Sequence, residues 1–97
     1  MAKVVLQKTA VADLDRSFDF LLDKDPLAAI RARRAILEAL QMLSAHPKIG
    51  RPAERGRREL VISWGQTGYV ALYRVRRDVI LVLTIRHQRE VLRDEDG

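Results

Sequence analysis

Tyr69-Val70-Ala71-Leu72-Tyr73-Arg74-Val75, followed after Arg76-Arg77-Asp78 by Val79-Ile80-Leu81-Val82-Leu83-Thr84-Ile85-Arg86-His87, is the stretch on which the reading of this chain turns. Both runs are dominated by β-branched, aromatic and aliphatic residues, the types that fit a pleated, half-buried surface. Arg77-Asp78 makes a tight turn between them, because Asp tolerates turn conformations. The second run is apolar almost without interruption, which predicts an interior strand covered by helices on at least one face. At its longest, Val79 to Ile85, it falls well short of the about 20 residues that a membrane-spanning helix needs.

Reading back toward the N-terminus, Glu59-Leu60-Val61-Ile62-Ser63 is another strand, and Gly65-Gln66-Thr67-Gly68 is the turn that leads into Tyr69. Three consecutive strands joined by turns form an antiparallel meander. Lys48 to Gly56, with glycines, Pro52 and mixed charges, reads as a loop. Before it, Asp25-Pro26 starts a helix: the carboxylate accepts from orphan amides, and proline at the first helical position gives up an N–H that has no partner there. Ala29, Ala32, Ile36, Leu40 and Leu43 mark the buried face, which Ile30 and Leu37 widen. His46-Pro47 ends this helix near Ala45, since the residue before a proline is pushed out of the α region. A preceding helix, with Thr9 as its cap, carries the stripe Val11, Leu14, Phe18, Leu21 and Leu22. The short Lys24-Asp25 connection makes the two helices an antiparallel hairpin. Lys3 to Gln7 is a first short strand, whose place in the sheet the pattern leaves open. The expected fold is α+β, in the order β-α-α-β-β-β: a meander with an α-hairpin packed on one face. It fills residues 1–97 as one domain, with the charged tail beyond Leu92 frayed.

A length of 97 residues accommodates one compact domain. A hydrophobic share of 47% argues against disorder. The absence of Cys rules out disulfides and thiolate metal sites and is compatible with a reducing cytoplasm. Met1-Ala2-Lys3-Val4-Val5-Leu6 is too short and too mixed for a secretory signal, so the expected location is cytoplasmic. The net charge of +5 fits an acidic partner, either a nucleic acid or an acidic protein surface. From residue 51 onward every Lys or Arg position holds Arg, whose planar fork of donors suits carboxylates and phosphates.

Three segments carry a family resemblance. They are Arg58-Glu59-Leu60-Val61-Ile62-Ser63, then Gly68-Tyr69-Val70-Ala71-Leu72-Tyr73-Arg74-Val75, then Val82-Leu83-Thr84-Ile85-Arg86-His87-Gln88-Arg89-Glu90. In this order and at these spacings, the chain resembles the ParE/RelE toxin family of type II toxin–antitoxin systems. The resemblance implies a toxin held inactive by a cognate antitoxin, of the ParD type with a ribbon-helix-helix domain. It also implies one of two modes of action: RelE-like members enter the ribosome and cut messenger RNA, and ParE-like members poison DNA gyrase.

Metal-free RNA cleavage needs a base, an acid and cations that stabilise the charge building on phosphate. RelE-like members place an arginine after the tyrosine of the Gly-Tyr segment and a tyrosine two residues after the Arg-Glu pair. The matching positions here hold Val70 and Leu92. Removing one charge-stabilising donor costs roughly 100- to 1000-fold in rate. Arg74 shares the strand face of Val70 but stands four residues further along the strand, too far to replace the missing cation. The departures favour a ParE-like, non-enzymatic gyrase poison, with ribosome-dependent mRNA cleavage as the alternative and a non-toxic binding module as the second. The residues expected to contact the target are Arg57, Arg58, Arg86, His87 and Arg89. If the chain cleaves RNA, His87 is the acid or base among them. No catalytic residue, cofactor or metal is assigned, because His46 and His87 lack carboxylates at ligand spacing. Trp64 covers the edge of the core or anchors a partner. His46 is a helix-end residue. Arg31, Arg33 and Arg34 form a solvated helix face that an acidic antitoxin segment also fits. Gly65 and Gly68 are turn glycines without phosphate-loop spacing.

Overall fold

The computed structural model describes residues 2–64 and 67–87. Its elements are β1 (Lys3–Leu6), α1 (Lys8–Lys24), α2 (Pro26–Ala45), β2 (Arg51–Pro52), a 3-10 turn (Glu54–Gly56), β3 (Arg58–Trp64), β4 (Thr67–Arg76) and β5 (Val79–His87). The expected turn at Gly65-Gln66, the side chain of Trp64, and Arg89 with the rest of the tail lie outside the described residues.

The strands form one five-stranded sheet in the order β1-β5-β4-β3-β2. From β2 to β5 the pairing is antiparallel, and β1 joins β5 in parallel, Lys3 opposite Val79 through Leu6 opposite Val82. β5 is therefore an interior strand, as its apolar run requires. β2 is the element that the loop reading of Lys48 to Gly56 passes over. It is two residues long, one of them proline, and proline is tolerated only on an edge strand.

The helices cover one face. Ala10 and Leu14 of α1 and Ala32, Ile36, Leu40 and Leu43 of α2 pack on Ile62, Tyr69, Ala71, Tyr73, Ile80, Val82 and Ile85. The α2 stripe is buried as expected, and Asp25 caps that helix by accepting from the Ala28 N–H at 3.1 Å. Two expectations shift. Val11, Leu22, Ile30 and Leu37 are exposed, because each helix meets the sheet along a stripe narrower than the apolar pattern suggests. Thr9 does not cap α1. The N-cap is Gln7, without a side-chain bond, and the Thr9 hydroxyl donates to the Leu83 carbonyl instead.

That contact belongs to a β-bulge. Leu72 pairs with Thr84 but Tyr73 pairs with Val82, so Leu83 is an extra residue in β5. The bulge lets Val82 and Ile85, three apart, both face the helices. β1 ends opposite Val82, and α1 covers the strand edge beyond it. Gln7 N–H donates to Val82 O at 2.9 Å, and Ile85 N–H donates to the Asp13 carboxylate at 3.0 Å.

Candidate target-binding face of the sheet

Side chains alternate across a sheet, so with Tyr69, Ala71 and Tyr73 turned to the helices, Val70, Leu72 and Arg74 point the other way. Cross-strand pairing extends this second face. Val61, Val70 and Arg86 lie in one row, and Glu59, Leu72 and Thr84 in the next. Arg74 stands opposite Leu81, and Arg51 opposite Glu59, with which it forms an ion pair at 3.2 Å. The result is an apolar strip bordered by cations: Arg51 and Arg74 toward one end, Arg86 toward the other. Val70 is only 5% exposed although the helices lie on the opposite side.

The β2–β3 hairpin shapes the basic end. Arg55 and Gly56 adopt left-handed backbone, with φ of 60° and 72°. This turns the Arg55 carbonyl so that it accepts from Arg74 Nη2 at 3.2 Å. Arg74 Nε is buried and has no hydrogen-bond partner among the described residues.

The expected target-contacting residues do not form one cluster. Arg57, at the hairpin tip, donates through Nε to the Glu54 carbonyl at 2.9 Å. Arg58 faces the helix side opposite Tyr73 and spends its guanidinium on the carbonyls of Gly50, at 2.8 Å, and Lys48, at 3.3 Å. Arg86 is on the open face beside Val70. His87 is on the helix side, its ring edge-on to Tyr69 with centroids 5.4 Å apart. Two strand spacings across and three residues along separate Arg58 from Arg86, about 10 Å in each direction.

The chemistry of the open face follows from what stands on it. Tyr69, Tyr73 and His87 are all turned to the helices. Burial raises the Tyr69 phenol above its ordinary value, and Tyr73 is fully buried with its hydroxyl held between Gly50 and Pro47. Among the described residues the open face therefore offers one carboxylate, Glu59, bound to Arg51, and arginines, but no imidazole or phenol for proton transfer. No cluster of His, Cys, Asp and Glu suited to a metal occurs among the described residues. Arg51, Glu59 and Arg74 were missing from the expected site. Period-two alternation from Val70 reveals Arg74, but the Arg51–Glu59 pair depends on β2, which composition hides.

The comparisons with known proteins agree on family. A model of the ParE toxin of type II toxin–antitoxin systems matches residues 4–92. Toxin RelE3 of Caulobacter vibrioides is 39% identical over 90 residues, covering 93% of this chain and 98% of that protein. Toxin RelE1 of the same organism is 33% identical, covering 90% of this chain and 94% of its own length. Among solved structures, the chromosomal ParDE toxin–antitoxin system from P. aeruginosa superposes with a TM-score of 0.76 at 30% identity, covering 90% of this chain and 96% of that one. The RelBE2 toxin–antitoxin complex from Mycobacterium tuberculosis superposes with a TM-score of 0.62 at 26% identity, covering 90% of this chain and 98% of that one. The fold and these matches along nearly the whole chain place it in the ParE/RelE family of toxins of type II toxin–antitoxin systems.

Proposed function

We propose that this type II toxin acts by gripping its target rather than by cutting RNA, and that the target is DNA gyrase. The observation that carries this reading is the row Val61-Val70-Arg86: an apolar residue occupies the centre of the open face, where RNA cleavage of the RelE type needs a cation. Among the described residues, the phenols of Tyr69 and Tyr73 and the imidazole of His87 lie on the other side of the sheet. In this reading Arg57, Arg86 and Arg89 contact the target. Arg58 and His87 support this contact, Arg58 by fixing the loop before β2 and His87 by packing against Tyr69. The antitoxin is of the ParD type, and the toxin works in the cytoplasm, where gyrase is. No helix among the described residues is long and apolar enough to cross a membrane.

The test is direct. Purified toxin is incubated with gyrase and supercoiled DNA, and in parallel with translating ribosomes. Accumulation of cleaved DNA is expected, with messenger RNA left intact. Codon-phased cuts in the messenger would overturn the proposal. They would favour the second reading, ribosome-dependent mRNA cleavage, which is supported by the RelE names of the curated relatives and by Glu59 as a base between Arg51 and Arg74. Replacing Arg86 with Ala is expected to relieve growth arrest on induced expression while the variant still accumulates as folded protein. Unimpaired growth with the wild-type chain at high level would remove both readings.

A further inference from the structure

We infer that the end of the open sheet face formed by the β2–β3 hairpin and the close of β4 is a phosphate-binding surface that grips the backbone of duplex DNA directly. A duplex can be bound with no gyrase present, so this inference and the gyrase proposal can fail separately.

Cationic charge is concentrated at this end. Residues 51–59 and 74–78 hold seven arginines against three carboxylates, an excess of four where the whole chain has +5. The register brings the two stretches together. Arg51 stands opposite Glu59, Arg58 opposite Tyr73 and Arg76 opposite Val79, and Arg74 Nη2 donates to the Arg55 carbonyl at 3.2 Å. Period-two alternation on β4 puts Arg76 on the same face as Arg74, about 7 Å further along. Arg55 and Arg76 are exposed, and among the described residues neither they nor Arg74 forms an ion pair, whereas Arg51 is bound to Glu59. The first helix and the turn after it carry the opposite sign: residues 8–25 hold five aspartates against three cations. The molecule is therefore polarised, and an approaching polyanion is steered to the hairpin end of the sheet.

Arg74 is the fixed point of this surface. It is half-buried and tied to the Arg55 carbonyl, which the left-handed backbone at Arg55 turns toward it. Its Nε is buried and has no hydrogen-bond partner among the described residues. The guanidinium thus keeps donors unspent on a rigid mount. An oxyanion that settles on it adds hydrogen bonds between charged groups, which are the strong ones.

What the face lacks selects the anion. Single-stranded nucleic acids are held by aromatic rings on which their bases stack. Among the described residues no aromatic ring stands on the open face, because Tyr69 and Tyr73 turn to the helices. An acidic protein segment offers scattered carboxylates. A duplex keeps its bases inside and presents a continuous run of charge, one per about 1.7 Å of its axis, to arginines set in a row.

The experiment titrates the whole toxin into labelled ligands without gyrase and follows fluorescence anisotropy between about 50 and 200 mM salt. The ligands are two DNA duplexes of unrelated sequence, a single-stranded RNA of the same length, and polyglutamate. Both duplexes should bind saturably and within twofold of each other, since backbone contacts carry no sequence information. They should bind at least fivefold tighter than the RNA or polyglutamate. Arg74→Ala and Arg76→Ala should each weaken duplex binding at least fivefold and flatten the plot of log affinity against log salt by about one unit of slope, one phosphate contact fewer. Arg31→Ala, the same charge change at an exposed position of α2, should stay within twofold and keep the slope. Arg76 is exposed, so its variant tests the surface even if Arg74→Ala fails to fold. No duplex binding at the lowest salt, equal binding of polyglutamate, an unchanged slope in Arg76→Ala, or a loss in Arg31→Ala as large as in Arg76→Ala would overturn the inference. Tighter binding of the RNA would overturn it too, because the occupant would then be a single strand. Duplex binding by a toxin that leaves gyrase untouched would sink the gyrase proposal and leave this one standing.

Discussion

Tyr73 has 0% of its surface exposed, and its hydroxyl both accepts from Gly50 N–H and donates to Pro47 O. A methyl group at Gly50 would lie 2.6 Å from that hydroxyl oxygen and 2.7 Å from the Glu59 carbonyl. Gly50→Ala should therefore cost about 1–3 kcal/mol, as overpacking does in a site that cannot yield. Tyr73→Phe leaves a buried N–H unpartnered and should also cost about 1–3 kcal/mol. The two act on one contact, so the double variant in urea denaturation should lose less than the sum of the single losses. Tyr69, its neighbour on the same face, makes a prediction in pH. Burial raises its folded-state pKa, so the folded protein holds the phenolic proton more tightly than the unfolded chain does. The associated stability is fully present below the unfolded value of about 10 and disappears as pH rises through the folded one. Urea midpoints of the wild type should fall more steeply between pH 8 and pH 10.5 than those of Tyr69→Phe. Equal slopes would show that burial of this phenol contributes nothing.

Between elements, α1 is joined to the bulged edge of β5 by polar contacts as well as by its apolar stripe. Asp13 accepts from Ile85 N–H and pairs with Arg16 at 2.9 Å, while Thr9 donates to Leu83 O. Asp13→Ala should cost about 1.5–3 kcal/mol, the range for a hydrogen bond to a charged group. Asp13→Asn, which keeps an acceptor, should cost less; chemical denaturation of both variants checks the order. These contacts explain which parts of the fold were legible. The α2 boundaries could be read because Asp25-Pro26 and His46-Pro47 act within a turn of their own positions. The strands of the meander could be read because alternation is local. Thr9 looked like a cap because a hydroxyl before a helix is usually spent on its own amides; here its partner is Leu83, far away in sequence. The parallel addition of β1 to β5 was likewise hidden, since a four-residue strand carries no record of which edge it will join. The same limit applied to the site. The residues expected to contact the target were Arg57, Arg58, Arg86, His87 and Arg89; of the described ones, alternation turns Arg86 and His87 to opposite sides and pairing sends Arg58 to the loop before β2.

For the whole molecule, the decisive quantity is how much stability a chain of 97 residues retains when its partner is absent. Exposed Phe20, Leu27, Ile30, Met42 and Ile49 leave apolar surface uncovered on and beside the helical hairpin, while the opposite sheet face carries Arg51, Arg74 and Arg86. Such a division suits a protein with two kinds of partner: one that covers apolar surface and silences it, and one that meets arginines. A ligand that binds only the folded state stabilises it by mass action, about 4.1 kcal/mol at a thousandfold excess over its dissociation constant. For a domain of this size each kcal/mol moves the melting temperature by roughly 4–8 °C. Saturating antitoxin should therefore raise the toxin's melting temperature by about 15 °C or more in differential scanning calorimetry. The shift should survive moderate salt if apolar burial dominates, because screening weakens exposed ion pairs and leaves buried apolar area untouched. A shift of only a few degrees, or one abolished by salt, would mean that the antitoxin holds this toxin by its charges alone. In that case the uncovered apolar residues would need another partner.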